Sequence, residues 1–335
     1  MSSEAVHLYA DKTTRLRLSP PLIVAVIAWW ALAALMAWWP DKPQGFAPPR
    51  FVTETHQLFI ALAALLTLAA AAGRLCSLPW LLQPLLWAGR WLIALAAYIA
   101  VWEVTTAKLG LLPVPFFAPP RGLVEAYATD WQRLGDSVVH SMRLLALGFF
   151  FGSLSGFVTG VAIGWSRGLG YWVHPILRFL GPVPSTALLP LSLYFFPSSF
   201  SAAIFLIALA TWFPVTVLTW SGVASVDTRY YDVARTLGAN TLFLILRVAV
   251  PASLPHVFVG LFMGLGASFS VLVAAEMMGV KSGLGWYLQW AQGWAAYANM
   301  YAALIVMALL FSSLITLLFY VRDRTLAWQR DQVKW

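Results

Sequence analysis

The chain has 335 residues, of which 61% are hydrophobic and 10% are charged, and its 21 Lys and Arg outnumber its 13 Asp and Glu. Soluble domains are roughly 45–50% apolar and about 25% charged, so this composition excludes a soluble enzyme, a disordered chain and a disulfide scaffold. The net charge of +8 does not indicate nucleic-acid binding, because the basic residues are scattered along the ends of apolar segments.

Eight apolar segments are each long enough to cross a bilayer, whose hydrocarbon core of roughly 30 Å needs about 20 residues per helix. They are 21–39, 55–73, 84–105, 143–165, 172–194, 200–220, 254–278 and 298–320. The sequence therefore predicts an all-α integral membrane protein with about eight transmembrane helices. The first segment follows the basic residues Lys12, Arg15 and Arg17, but it is longer than a cleaved signal sequence, and we expect an uncleaved anchor.

The distribution of basic residues predicts that both termini are cytoplasmic. With the amino terminus inside, 14 of the 21 Lys and Arg fall on the cytoplasmic side, and cytoplasmic loops are enriched in these residues. The single Cys76 cannot form an intramolecular disulfide, and no Cys and His cluster has the spacing of zinc ligands. We therefore expect no metal site.

The longest outer loop, 107–141, carries four prolines that predict the end of the third helix. After the prolines, apolar residues recur at helical spacing over 123–138, with charged residues between them. This pattern predicts a separate helix at the membrane interface. It is either a structural strut or a surface for an external partner.

The longest inner loop, 221–250, predicts two short helices, broken at Gly238 and ended at Pro251. Periodicity alone leaves two interpretations open, a connecting hairpin and a docking element. The spacing within the loop is more specific. Asp232-Val233-Ala234 is followed after three residues by Gly238, and after nine more by Val248-Ala249-Val250-Pro251.

This spacing resembles the Glu-Ala-Ala loop of binding-protein-dependent ABC importer permeases, with Asp232 in place of Glu and Val233 in place of the first Ala. Other segments between residues 85 and 322 resemble the nitrate, sulfonate and taurine type of this family. They are Leu112-Pro113 with Pro119, 141–144 with Gly148, 178–184 with 188–191, and 274–279 with 283–285. The sequence departs from these relatives at 195–199, where they carry a glycine-containing turn.

The resemblance implies a six-helix permease core of the type I importers over 81–325, with 221–251 as its cytoplasmic coupling loop. An N-terminal extension, 1–80, would add two helices, and 326–335 would form a cytoplasmic tail. The implied function is import of a small anion such as a sulfonate, nitrate or taurine by alternating access. The implied location is the bacterial inner membrane.

The chain has no G-x-x-x-x-G-K-[ST] phosphate loop, so we expect no cofactor in it and ATP with Mg²⁺ on partner subunits. The resemblance implies a cytoplasmic ABC ATPase dimer, a second permease copy in a homodimer, and a periplasmic or extracellular substrate-binding protein that docks on 107–141 and 279–285. A short helix with an apolar face and polar edges suits docking in a groove. The residues expected to couple to the ATPase are Tyr230, Tyr231, Asp232, Val233, Ala234, Arg235, Leu237, Gly238 and Pro251.

Glycines recur every four residues along the fourth apolar segment, which places them on one stripe of a helix and lets another backbone approach closely. They are Gly148, Gly152, Gly156, Gly160 and Gly164. Gly260 and Gly264 form a similar pair in the seventh segment. We predict that both stripes serve tight helix packing rather than ligand contact.

Ionisable residues within the apolar segments are candidates for the transport pathway, because they are unfavourable against lipid. Glu276 either lines the pathway or accepts a structural hydrogen bond from a neighbouring glycine loop. Arg143 and Arg178 either contact substrate or extend to opposite membrane interfaces.

Two other classes of function make different demands on the sequence. A membrane-embedded enzyme would need several convergent catalytic groups, and Glu276 has no such companion in the sequence. An energy-independent channel or carrier would need no docking loop for a motor subunit. Both fit the sequence less well than a transport subunit does.

Overall fold

The structure is a computed structural model that describes residues 20–42, 51–75, 79–181 and 183–329. The basic leader, Cys76, Pro182 and most of the expected tail lie outside these ranges. Every regular element within them is helical.

The described ranges contain eleven α-helices of 7 residues or more. They are α1 Pro20–Trp38, α2 Val52–Leu75, α3 Pro79–Glu103, α4 Pro120–Trp165, α5 Arg167–Leu180, α6 Leu189–Phe195, α7 Ser199–Ala224, α8 Thr228–Thr236, α9 Val250–Met278, α10 Leu284–Gly293 and α11 Tyr297–Thr325. Helical turns at Ser185–Leu188, Thr241–Phe243 and Ala327–Gln329 and π-helical segments at Val104–Lys108 and Leu244–Ala249 complete the described elements.

Seven helical stretches in the described ranges are long and apolar enough to cross a membrane. The number is eight if the bent pair Arg167–Leu180 and Ser185–Phe195 forms one span. The prediction of an all-α membrane protein with about eight transmembrane helices is confirmed.

The span predicted over 172–194 is bent in the structure. The chain forms two helices there that meet at an angle of 88°. Pro184, with extended backbone angles of φ −60° and ψ 123°, precedes the second helix. Because proline lacks an N–H and restricts the residue before it, it interrupts the helical ladder.

The separate helix expected over 123–138 is divided by a kink at Asp130, and its position at the membrane interface stays a prediction. Its residues lie in α4, in which two helical parts meet at Asp130, the residue with non-helical backbone angles (φ −122°, ψ 18°). Pro120 begins the helix, where a missing N–H is tolerated. The kink falls at one of the charged residues that lie between the apolar positions.

Pro251 does not end a helix as expected. It lies in the first turn of α9, directly after the π-helical segment Leu244–Ala249. Thr241–Met278 form one helical stretch, so the chain stays helical through Pro251 although proline donates no N–H to the turn before it. The helix after Gly238 is therefore continuous with the seventh span.

The described helices form two compact units. The first comprises the residues up to Thr129 together with Ala295–Tyr301, and the second comprises Asp130–Trp294 with the residues from Ala302 onward. In the first unit, Trp29 of α1 stacks on Phe59 of α2 and donates its indole N–H to the carbonyl of Leu92 in α3. The domain boundary expected at residue 80 stays a prediction.

A buried ion cluster lies in the first unit. The ammonium group of Lys108, which is fully buried, lies 2.7 Å from the carboxylate of Asp41 and 3.5 Å from that of Glu103. Arg121 forms an ion pair with the other oxygen of Asp41. Lys108 also donates to the carbonyl of Met36 at the end of α1, so the cluster joins the ends of α1 and α3 to the start of α4.

Candidate functional site

The loop between α7 and α9 folds into a short helix, α8, with a defined cap at each end. Asp227 accepts a hydrogen bond from the backbone N–H of Arg229 at 2.9 Å, which satisfies a free donor of the first turn. At the other end, Gly238 has a φ of +83°. The backbone N–H of Ala239 donates to the carbonyl of Ala234 at 3.0 Å, as in a glycine-terminated helix.

The apolar side chains of α8 and its end face outward. Tyr230 is 66% exposed, Val233 is 62% exposed and Leu237 is 83% exposed. We call these three residues the exposed apolar face of α8. A shallow cavity of about 310 Å³ adjoins it. Its lining is Ala234, Leu237, Gly238, Ala239, Asn240 and Phe243.

Tyr231 faces the other way from Tyr230. Its ring meets that of Trp165, the last residue of α4, edge to face with 5.6 Å between centroids. Burial raises the pKa of the Tyr231 phenol. Of the two tyrosines predicted to couple to an ATPase, the structure exposes Tyr230 and packs Tyr231 against α4.

The charged residues of α8 pair within the helix. Arg235 lies 3.4 Å from Asp232, and both side chains are mostly exposed. Pairs of this kind contribute little to stability and are free to exchange partners. At the cap, the Arg229 side chain donates to Asp227, which together with the backbone bond lowers the pKa of that carboxyl. Pro251 lies apart from this surface, in the first turn of α9.

The glycine stripe of α4 faces α7 along its whole length. A Cβ atom added at each glycine would lie 2.5 to 2.9 Å from a side-chain atom of α7, closer than Cβ contacts normally come. The opposing residues also recur every four positions. They are Ile207, Thr211, Val215, Thr219 and Val223.

The glycines of α9 approach the same helix. A Cβ at Gly260 would lie 3.1 Å from the Cα of Val215, and one at Gly264 would lie 3.1 Å from the Thr211 methyl group. Both glycine stripes therefore pack on α7. Among the described residues, the buried hydroxyls of Ser153, Thr216 and Thr219 have no hydrogen-bond partner.

Glu276 is fully buried near the end of α9 and is held by the turn that follows. One carboxylate oxygen accepts from the Ser141 hydroxyl at 2.6 Å, and the other accepts from the Gly285 N–H at 2.7 Å. The Ser141 oxygen in turn accepts from the Leu284 N–H at 2.8 Å. Gly283 has a φ of +113°, and a Cβ there would collide with the Glu276 carboxylate. This geometry matches the structural alternative for Glu276, and its pathway role stays a prediction.

The structure does not place the two candidate arginines with Glu276. Arg143 is an exposed residue of α4, directly before the buried residues Leu144 and Leu145. Arg178, near the end of α5, lines a cavity of about 620 Å³ together with His174 and Trp220. The rings of His174 and Trp220 are 4.3 Å apart between centroids.

Sequence reasoning did not assign roles to Trp165 and Ser141. Ser141 stood within a recognised motif, but only the fold brings it to Glu276, 135 positions away in the chain. Trp165 was one of 18 tryptophans, and nothing in its spacing marked it as the partner of Tyr231.

These features define a multi-pass helical membrane protein with a structured helix exposed in one of its loops. The family model of the binding-protein-dependent transport system inner membrane component matches residues 148–326, which is more than half of the chain. The chain belongs to this family of ABC importer permeases. As the family description implies, such permeases work with ATPase and substrate-binding partners in an inner membrane.

Curated relatives agree with this assignment. The nitrate import permease protein NrtB of Synechococcus elongatus is 27% identical over 256 residues, covering 71% of this chain and 87% of the relative. The taurine transport system permease protein TauC of Escherichia coli is 34% identical, covering 64% and 81% respectively. A relative named for aliphatic sulfonate transport in Bacillus subtilis is 32% identical, covering 64% and 78%.

Proposed function

We propose that this chain is the membrane-spanning subunit of an ATP-driven importer for a small oxyanion, working by alternating access. A cytoplasmic ABC ATPase dimer, which holds ATP and Mg²⁺, docks on the exposed apolar face of α8. A second copy of the chain completes the pore, and a substrate-binding protein delivers cargo at 107–141 and 279–285. Both termini lie in the cytoplasm.

The exposed apolar face of α8 supports this proposal. An apolar cluster on a short helix, beside a cavity, has the form of a helix that inserts into a partner's groove. Asp232 and Arg235 pair only with each other in the described chain and are available for ion pairs at the rim. A connecting hairpin without a partner would gain nothing from exposing Leu237.

Two contacts provide a route from α8 into the membrane part. Tyr231 packs on Trp165 at the end of α4. The segment Leu244–Ala249 contacts α8 and continues into α9. Both α4 and α9 carry the glycine stripes that pack on α7. A displacement of α8 on ATP binding would therefore reach two helices that share one neighbour.

The cargo proposal comes from the relatives. Nitrate, taurine and aliphatic sulfonates, which appear in their names, are all small molecules that carry an oxyanion group or are one. We propose the same class for this chain.

The alternative is an energy-independent channel or carrier. The test is reconstitution of the chain in vesicles with the ATPase subunits and the binding protein encoded with it, followed by uptake of nitrate, taurine and methanesulfonate. We expect uptake only with ATP, and Leu237→Asp to abolish both ATPase co-purification and uptake. Thr236→Ala, beside it on the same helix, is the control. Wild-type uptake without ATP or ATPase subunits would favour the carrier.

A further inference from the structure

Two cavities meet at one aromatic side chain in the second unit. The first, the Arg178 cavity of about 620 Å³, is lined by His174, Leu177, Arg178, Gly181, Phe213, Val217 and Trp220. The second has a volume of about 450 Å³ and is lined by the break between α5 and α6 and by residues of α7 and α9. We call it the hydroxyl cavity, because Ser185, Thr186 and Ser270 line it. Gly181 and Phe213 line both cavities.

Phe213 occupies the boundary between the two spaces. A Cβ added at Gly181 would lie 2.8 Å from the Cζ atom of the Phe213 ring, so only glycine leaves room for this ring position. The next residue is Pro214, inside α7. Since proline removes one hydrogen bond of the helix, the backbone that carries Phe213 is less constrained than its neighbours.

The order of residues along α7 gives the two cavities a direction. Val217 and Trp220 of the Arg178 cavity follow Phe213 toward α8, whereas Leu209 and Ala210 of the hydroxyl cavity precede it. The Arg178 cavity therefore lies on the side of Phe213 that leads to α8. The hydroxyl cavity lies on the opposite side.

The lining chemistry suits an oxyanion. Among the described residues, no hydrogen bond engages the side-chain hydroxyls of Ser185 and Thr186, so both are available as donors. Ser270 bonds only to the Gly266 carbonyl, at 3.3 Å. Arg178 has no acidic partner within the described chain, and an arginine binds oxyanions through charge-assisted hydrogen bonds. A cavity of about 450 Å³ lies within the usual range for small-molecule sites.

We propose that the transported oxyanion occupies the hydroxyl cavity, passes Phe213, and enters the Arg178 cavity, with the Phe213 ring as the barrier between them. The inference rests on the proposed function and extends it by naming the path. Three hydroxyls hold the anion weakly enough for release, and the arginine attracts it once the ring has moved. An apolar ring at a constriction blocks both the ion and its water when closed.

The experiment uses the complete importer reconstituted in vesicles, with taurine, methanesulfonate and nitrate as probes. Phe213→Ala removes the barrier, and we expect passive efflux of the preloaded probe without ATP to rise about tenfold. Phe205→Ala is the matched control, since Phe205 lies on the same helix, packs on Phe196 and lines neither cavity. Efflux from Phe213→Ala equal to that from Phe205→Ala would overturn the proposal.

A second set of variants keeps the test decisive if Phe213→Ala fails to assemble. Gly181→Ala crowds the ring without removing it, and we expect ATP-driven uptake to fall with no rise in passive efflux. The double variant Ser185→Ala with Thr186→Val removes two donors, and the KM for uptake should rise about tenfold. Wild-type kinetics in both would also overturn the proposed path. Failure of the wild-type complex to take up any probe would instead contradict the proposed function.

Discussion

Ser141 and Glu276 form a buried hydrogen bond of 2.6 Å between α4 and α9, and the same Ser141 oxygen accepts the Leu284 N–H. One hydroxyl thus holds both a carboxylate and the first residue of α10. Removing it leaves a buried carboxylate oxygen and a backbone donor without their partner.

We expect Ser141→Ala to lower the free energy of unfolding by about 1–3 kcal/mol, the usual effect of an unsatisfied buried group. The measurement is thermal unfolding of the purified chain in detergent. Ser137→Ala is the control, because the buried Ser137 hydroxyl bonds only to the Arg133 carbonyl within its own helix. Equal shifts in the two variants would show that the Glu276 contact contributes nothing specific.

Adding a methyl group to the glycine stripe should separate α4 from α7. At Gly160 the new Cβ would lie 2.6 Å from Thr219, and overpacking of this kind costs about 1–3 kcal/mol. Gly135, also in α4, has no atom within 4 Å of an added Cβ. We expect Gly160→Ala to destabilise the protein and Gly135→Ala to leave it unchanged or slightly more stable. A melting temperature for Gly160→Ala as high as for Gly135→Ala would contradict the close packing.

Substitutions of Gly238 test the backbone conformation at the end of α8 rather than its side-chain contacts. A Cβ there meets nothing within 4 Å, so substitution acts only through the positive φ of 83°. This conformation is unfavourable by about 1–2 kcal/mol for most residues, whereas Asn adopts it readily. We expect Gly238→Val to weaken binding of the ATPase subunit, measured by titration, and Gly238→Asn to retain most of it. If the two variants bind equally well, the orientation of α8 does not depend on this turn.

Asp232→Lys tests the proposed rim contact. The substitution breaks the pair with Arg235 and places two positive charges three positions apart on an exposed helix. We expect weaker ATPase binding, with a salt dependence that differs from that of the wild type. Arg74→Glu, a charge reversal at the end of α2, is the control. Unchanged association of Asp232→Lys would remove Asp232 from the interface.

The cap of α8 should respond to pH. The Arg229 side chain, followed by its backbone N–H, lowers the pKa of Asp227 below the ordinary value of 3.8. Its contribution is therefore complete above pH 3.8 and is lost as the pH falls through the depressed pKa. Amide exchange in 228–236 should accelerate in that acidic range. Asp227→Asn, which retains a cap oxygen, should remove the pH dependence.

The local features of the sequence predicted part of this structure well. Gly238 marks the end of α8, because a residue with positive φ has a strong preference for glycine. The glycines from 148 to 164 lie on one face, since a spacing of four is close to one helical turn. Both are properties of a few neighbouring residues.

Other features were missed, either because hydropathy concealed a local break or because they depended on distant parts of the chain. Hydropathy over 172–194 is continuous, so it could not show the bend of 88° near Pro184. Phe213 is one of 21 phenylalanines and looks like any apolar residue of a span. Its position becomes distinctive only when the fold places it against Gly181.

The ion cluster around Lys108 links the N-terminal extension to the part of the chain that follows it. Lys108 and Arg121 belong to the part of the chain expected to form the permease core, but both are neutralised by Asp41, which the extension supplies. A homologue that lost the first two helices would keep Arg121 without this carboxylate and Lys108 with Glu103 alone. We therefore expect positions 41, 108 and 121 to change together across the family, so that their covariation records when the extension was gained.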